Sequence, residues 1–359
     1  MSANCWKCNE KLQKHFCSDC CHKLQLLEKP CSHTLNRHRA GSNLIFYSPR
    51  CAFFPVIDLH CHTDCSDGSV APLDLLNEAI CLGLRALAIT DHDTLDGYDL
   101  AQPLAQQKGF ELLCGVELST RCPDSIRSAH LLGYFAPDPG ESFRCWLNSL
   151  REGRLERNLA MLRRLHELKV DISWDELQEI GKKQIGRPHF AKLLVDKGYV
   201  GSVREAFDRY LGESGLAWVD REEPALEEAI GRVAAAGGIA SLAHPVRISR
   251  ERAVLQSLVA GLIPHGLEAI ECYHPEHTAA DTRMCLEIAA EHDLGTTGGS
   301  DFHGSYKPDT RLGTGRDGNV HPPFAILEDL RRRFLQKEAR QGYSPFEEDH
   351  ETQNCELKS

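Results

Sequence analysis

No hydrophobic run in the 359 residues approaches the ~18 needed to cross a membrane, so no span is expected. The first residues also lack the apolar core of a secretory signal. Sixteen cysteines are therefore not read as a disulfide framework, and the expectation is a cytoplasmic protein with reduced thiols. A surplus of positive charge is missing too. The formal net charge is −11, the opposite of a protein that grips nucleic acid through a basic surface. If the substrate is a phosphate or a nucleotide, something other than bulk Lys and Arg must neutralise it. Bound divalent cations do that locally.

What the chain has in excess is histidine and cysteine, eighteen and sixteen residues. Cys5-x-x-Cys8 and Cys17-x-x-Cys20 form two knuckles in a segment spanning residues 1–38. Four thiolates so paired can close a tetrahedral zinc site, and so short a segment needs a staple to fold. Cys21, His22, Cys31, His33 and His38 are alternative ligands. The competing reading is a Cys-rich leader without a fold. Residues 39–54 read as a linker. Cys81, Cys114, Cys272 and Cys285 sit in apolar segments and read as buried free thiols.

From Val56 onward, short apolar runs alternate with helical patterns. Strands are expected at Val56–Leu59, Ala86–Thr90, Glu111–Val116, Ala129–Phe135, Ile239–Ala243, Leu267–Cys272 and Gly295–Gly299. Helices fall between most of them, as in Pro72–Leu82, with Pro at its start and Gly83 beyond its end. This predicts an α/β fold with a largely parallel sheet, open or closed into a barrel. Residues 142–213 interrupt the alternation with a helical insertion. Its long helix, Trp146–Lys169, places Leu150, Leu155, Leu159, Leu162 and Leu165 on one side and many Arg on the other. Ser173 and Glu176 form a capping box. The divided barrel is expected over 55–141 and 214–339, with a disordered tail at 340–359.

Polar residues stand where the strands end: His60 and His62, then Asp67 in the turn, Asp91 and His92, Glu117, His244, and finally Asp301 and His303. His130 opens its strand and needs a local reversal to join them. In a parallel α/β protein the carboxyl ends share one rim, and ligands bind there. The set is imidazole and carboxylate without thiolate, which suits Zn, Mn or Fe. Nine ligands exceed one ion, so a shared carboxylate would bridge two or three divalent metals. Such clusters hydrolyse phosphate esters by a metal-activated hydroxide.

The blocks H-C-H-T-D-C-S-D-G-S-V-A-P, I-T-D-H-D-T, G-V-E, H-L-L-G-Y, L-A-H-P and G-G-S-D-F-H resemble the PHP (polymerase and histidinol phosphatase) family over about residues 55–320. G-R-P-H-F-A-K-L-L in the insertion and S-D-F-H-G-S-Y-K-P are similar to the branch of nucleoside 3′,5′-bisphosphate phosphatases and the 5′-to-3′ exoribonuclease AM. The resemblance implies a distorted (β/α)7 barrel and a trinuclear metal centre. One metal would take His60, His62, Glu117 and Asp301. A second would share Glu117 and add His130 and His244. A third would take Asp67, His92 and His303, with Asp91 orienting a ligand histidine. The leader resembles the rubredoxin-like zinc knuckle of iron–sulfur co-chaperones, which implies one structural zinc.

Arg187 and His189 read, on the residues alone, as a solvated helix start with Pro188 in its first turn. The resemblance makes them grips for a substrate phosphate, together with Lys307. The helix Arg151–Arg164 reads first as a solvated face, with guidance of a nucleotide strand as the alternative. His274, His277, His292 and His321 read as surface residues, and Glu271 as structural. The expected function is hydrolysis of the 3′-phosphate of nucleoside 3′,5′-bisphosphates, with exonuclease action on short 5′-phosphorylated RNA. The alternatives are a phosphatase of another small phosphomonoester, such as a histidinol phosphate, or a non-catalytic zinc-knuckle interaction protein whose barrel merely binds partners; in either case the leader is a candidate to bind a protein partner.

Overall fold

Ile57–Cys61 forms the first strand, β1, and all five residues are buried. An apolar run without in–out alternation belongs to a strand covered on both faces. The others are β2 (Ala86–Ile89), β3 (Glu111–Arg121), β4 (Ser128–Phe135), β5 (Ile239–Leu242), β6 (Leu267–Tyr273) and β7 (Gly295–Gly298). They lie side by side in sequence order in one curled sheet. Every neighbouring pair is parallel except β3–β4 and β4–β5, so β4 alone runs backwards. This is the distortion of the expected barrel, and it supplies the reversal His130 needed. The computed structural model describes residues 57–122, 128–181 and 184–341, all in the unit that begins at Phe54. The segment 1–38 with Cys5, Cys8, Cys17 and Cys20, the linker 39–54 and the tail beyond Gln341 lie outside the described residues.

Helices α1 (Pro72–Cys81) and α2 (Asp96–Lys108) cover β1 and β2 through Leu75, Leu76, Ala79, Ala101 and Ala105. Further along the chain, α7 (Leu226–Ala235), α8 (Arg252–Leu262) and α9 (Ala279–Glu291) cover β3 to β6. A last helix, α10 (Ala325–Gln341), packs Ile326, Leu327 and Leu330 against Ile57, Leu59, Tyr134 and Ile239. Each such fully buried aliphatic side chain contributes roughly 1.5–3 kcal/mol. The buried Tyr134 hydroxyl donates to the Leu59 carbonyl at 2.8 Å, so it leaves no polar atom unpaired. No helix among the described residues is long and apolar enough to cross a membrane.

The strands β1 and β7 meet just beyond their carboxyl ends. Asp301 N–H donates to the His60 carbonyl at 2.8 Å, and His62 N–H donates to the Phe302 carbonyl at 2.9 Å. Gly299 permits this approach: a Cβ there would lie 2.2 Å from the His60 nitrogen.

The insertion holds α3 (Glu141–Glu167), α4 (Trp174–Gly181), α5 (Arg187–Asp196) and α6 (Val203–Ala206), followed by a π-turn at Phe207–Leu211. It has its own apolar cluster around Met161, Leu165, Phe190, Leu194 and Leu211. The Ser173–Glu176 capping box is formed, with Ser173 N–H donating to Glu176 Oε2 at 2.8 Å. The long helix corrects its expected faces. Leu155 and Leu159 are exposed, whereas Arg154, Arg157 and Asn158 are buried with Leu147, Met161, Leu162 and Leu165. The inner stripe at helical spacing thus includes two arginines, because α3 lies over the polar rim of the sheet. Arg154 and Arg221 reach Asp93, just past β2, at 2.5 and 3.4 Å. The Gln184 amide donates to the His92 carbonyl at 2.7 Å.

Candidate metal centre

His62, Asp67, His92, His244, Asp301 and His303 stand in turns after their strands, whereas His60, Glu117 and His130 lie within β1, β3 and β4. Past β1, the chain from Thr63 to Ser66 is ordered by Asp91. Its Oδ1 accepts from Thr63 N–H at 2.7 Å and Ser66 Oγ–H at 2.5 Å, and its Oδ2 accepts from Thr63 Oγ–H at 2.6 Å. The expectation that Asp91 orients a ligand histidine is corrected: both its oxygens serve this loop, which spaces His62 from Asp67.

Glu117 is the hub, and it lies within β3 rather than beyond its end as expected. Its Oε2 faces His60 Nε2 at 3.3 Å, His62 Nε2 at 3.1 Å and His92 Nδ1 at 3.4 Å. Its Oε1 lies 2.8 Å from His130 Nδ1 and from His244 Nε2. Asp301 Oδ1 faces His60 and His62 at 3.6 and 3.4 Å. Asp67 completes the far side, 3.6 Å from His92 Nε2 and 3.3 Å from His303 Nε2. His62, Asp67, His92 and His303 thus gather their ligand atoms within 4.8 Å of one another, as do His60, His62 and Asp301, and His92, Glu117 and His130. All nine expected ligands converge.

Two observations test whether this donor set fits metal ions. First, His60 Nε2, both nitrogens of His62, and His92 Nδ1 are buried without a hydrogen-bond partner. Orphaned buried imidazole nitrogens are costly, and several facing carboxylates are the mark of a cation site. Second, the protonation pattern is that of ligands. Burial opposes the charge of Glu117, but the His130, His92 and His60 imidazoles hold it well below the usual carboxylate range. Burial likewise opposes the charge of Asp301 and Asp67, yet Lys307 and His303 lower the first and His92 and His303 the second. Burial drives His92 down to about 3 and lowers His303. His60 and His62 are instead pushed up, His62 to about 9: burial lowers both, and Glu271 and Glu117 for the first, Asp301 and Glu117 for the second, more than reverse that. A bound cation would take the place of such a proton.

Strand β6 contributes none of the nine ligands but supplies the groups behind them. Glu271 Oε1 lies 2.8 Å from His60 Nδ1, and Glu271 Oε2 accepts from His244 N–H at 2.7 Å. A carboxylate only accepts, so it holds the proton on Nδ1 and leaves Nε2 for the site. The placement of His274 and His277 at the surface is corrected, since both are buried. His274 Nδ1 accepts from Glu276 N–H at 3.2 Å, so Nε2 carries the proton toward Asp301 Oδ2, 3.2 Å away. Lys307 Nζ and Arg247 Nη2 donate to the same oxygen at 2.7 and 3.1 Å.

A cavity of about 340 Å³ opens above the centre. Asp67, His92, Glu117, His130, Asp301 and His303 line the cavity together with Arg154, Arg157, Arg187, Arg221 and Trp218, and with Glu213, Asp220 and Glu223 beside those arginines. Such a volume holds a nucleotide-sized ligand. Arg187 and Lys307 lie on its wall. His189 does not: its Nδ1 accepts from Gly186 N–H at 2.8 Å, closing the first turn of α5. Arg221 and Arg247 were not anticipated, His274 was expected at the surface, and Arg154 and Arg157 were expected first on a solvated face. Only Arg154 and Arg157 carried a signal, their helical spacing from Leu147 to Leu165.

Comparison with known proteins agrees with this geometry. A model of the PHP domain matches residues 58–236. The chain is 33% identical over 246 residues to a 5′-3′ exoribonuclease of Haemophilus influenzae, covering 68% of this chain and 89% of that one. It is 32% identical over 284 residues to a 3′,5′-nucleoside bisphosphate phosphatase of Chromobacterium violaceum, covering 78% and 98%. A solved structure from Bifidobacterium adolescentis, named for a metal-dependent phosphoesterase activity, superposes with a TM-score of 0.68 at 33% identity, covering 77% and 96%. The curled sheet and its imidazole–carboxylate rim are those of a metal-dependent phosphoesterase, a hydrolase of phosphate esters. The chain belongs to the PHP domain family.

Proposed function

We propose that the enzyme removes the 3′-phosphate of nucleoside 3′,5′-bisphosphates and cleaves short 5′-phosphorylated RNA from its 5′ end. The observation that carries this reading is the convergence of nine ligand side chains beneath a cavity that four arginines also line. The names of the two curated relatives support it. Divalent ions of Mn, Zn or Fe, held by His60, His62, Glu117 and Asp301, by Glu117, His130 and His244, and by Asp67, His92 and His303, would polarise phosphoryl oxygens and acidify a water.

The chain's own groups do the rest. Glu271 keeps the His60 proton on Nδ1, so its Nε2 is free for the site. His274, Arg247 and Lys307 hold Asp301 through Oδ2 and leave Oδ1 turned to the histidines. Asp91 fixes the loop that carries Asp67. The insertion, 142–213, forms the wall that excludes water and receives the rest of the substrate; Arg187 grips a substrate phosphate there, and Lys307 approaches it from the rim. Position, more than covalent participation by the protein, is what phosphoryl chemistry asks of such a site.

The test is turnover by the Mn-loaded chain with adenosine 3′,5′-bisphosphate, histidinol phosphate or a 5′-phosphorylated oligonucleotide, following phosphate and nucleotide release. Activity on the first and third, abolished by His60→Ala, supports the reading. Turnover of histidinol phosphate alone would overturn it.

A further inference from the structure

We propose that α3, α4 and the chain at Gln184 and Ile185 enclose a second binding site, for a nucleobase that carries an exocyclic amino group. It lies beside the catalytic cavity and not in it.

A cleft of about 290 Å³ opens between α3 and α4. Leu155, Trp174 and Ile185 give it apolar walls, and Arg154, Asn158 and Gln184 line it as well. No metal ligand borders it among the described residues, and Arg154 alone stands on both this cleft and the central cavity.

The polar side chains of the cleft are buried and incompletely paired. Asn158 is 1% exposed, Arg154 8% and Gln184 9%. The Asn158 amide nitrogen donates to the Ile185 carbonyl and the Gln184 amide nitrogen to the His92 carbonyl, each at 2.7 Å. Backbone carbonyls only accept, so both amides are fixed with their own oxygens turned away from these bonds. Asn158 Oδ1 and Gln184 Oε1 have no hydrogen-bond partner, and neither has Arg154 Nε. The charge of Arg154, by contrast, is already matched. Its Nη2 donates to Asp93 Oδ2 at 2.5 Å and to Ser119 Oγ at 2.8 Å. The cleft therefore calls for neutral hydrogen-bonding groups and not for a phosphate.

Two free acceptors and one free donor are answered by two N–H hydrogens and one acceptor on the ligand. The amino edges of adenine, guanine and cytosine carry that set, whereas uracil has one N–H between two carbonyls. A flat base also meets the half-buried indole of Trp174, and base–aromatic stacking adds affinity whichever base it is. Binding here bears on catalysis. Gln184 holds the carbonyl of His92 and Arg154 holds Asp93, so a base bonded to both steadies two contacts through which the insertion rests on the rim. A free nucleoside and a nucleotide of an RNA strand present the same edge, and the experiment separates them.

Adenosine and uridine, which lack phosphate, are titrated calorimetrically into the Mn-loaded full-length chain. Adenosine binds about 10-fold more tightly than uridine, and Trp174→Leu and Asn158→Leu each weaken adenosine about 10-fold, the worth of a lost stacking face or hydrogen bond. Circular dichroism and bound metal, by elemental analysis, stay those of the wild type in Trp174→Leu, which decides alone if Asn158→Leu fails to fold. Adenosine that changes kcat for adenosine 3′,5′-bisphosphate without raising KM identifies a free nucleoside as the occupant. A preference for adenosine over uridine at one position of a 5′-phosphorylated oligonucleotide, lost in Trp174→Leu, identifies the strand. A wild type that binds adenosine no better than uridine, or an adenosine affinity that Trp174→Leu leaves unmoved, overturns the site. The titration reads binding without turnover, so this site and the proposed function fail separately.

Discussion

Replacing Glu271 by Gln changes one oxygen to an NH2 group and little else, yet the structure predicts a large effect. Glu271 accepts two hydrogen bonds, from His60 Nδ1 at 2.8 Å and from the His244 backbone N–H at 2.7 Å. An amide has one accepting atom for these two donors. If its oxygen serves His244, the NH2 group faces His60 Nδ1. That nitrogen must then carry the lone pair, and the proton moves to Nε2, the atom 3.3 Å from Glu117 and 3.6 Å from Asp301. The ring can no longer act as a ligand. If the oxygen serves His60, the NH2 group meets the His244 N–H, and a buried donor is left unpaired at about 1–3 kcal/mol. The first arrangement should cost about 10- to 100-fold in metal affinity, the range for loss of such an orienting partner. The assay is titration of the chelator-treated protein with Mn²⁺, read calorimetrically, alongside urea unfolding of the metal-free chain. A Gln variant that keeps both metal affinity and stability would refute the orienting role.

Other consequences are as direct. Asp93→Asn keeps an acceptor for Ser119 N–H but strands the Arg154 guanidinium, so urea unfolding should show a loss of about 3 kcal/mol. A loss below about 1 kcal/mol would mean that Arg154 finds another anion. Gly299→Ala forces a Cβ against the His60 backbone and side chain and should lower stability by about 1–3 kcal/mol, with bound metal falling in parallel by elemental analysis. Chelation should abolish activity and lower the melting temperature. Restoring free Mn²⁺ to about 100 times its dissociation constant should return about 2.7 kcal/mol, and identical melting with and without metal would argue against the centre.

Much of the rim was legible because the residues that carry it interrupt apolar runs. An imidazole or carboxylate at the end of Ile57–Cys61 or Ala86–Ile89 has no packing reason to be there, and the parallel α/β pattern says that such ends meet. His130 required a reversed strand, and β4 provides it within one hairpin. The basic wall was hidden by an ambiguity of periodicity. Arginines at helical spacing look the same whether they face water or a polar cavity, and only tertiary packing over Asp93 turns Arg154 and Arg157 inward. His274 and His277 follow β6 in a loop whose burial depends on α9 and on Asp301, 27 residues further on. No local pattern announces that.

The join between the first and last strands has a consequence for how the molecule breathes. The amides that stitch it belong to His62 and Asp301, and their acceptors to Phe302 and His60. The backbone-to-backbone hydrogen bonds joining those two edges among the described residues thus lie at the chemical centre, with the Ser300 N–H donating to the Asp58 carboxylate at 2.9 Å beside them. Opening the barrel and dismantling the ligand set are one event. Amide exchange at His62 and Asp301 should thus be slow in the loaded enzyme and should quicken on chelation more than exchange in the central strands, making two backbone protons a gauge of metal occupancy.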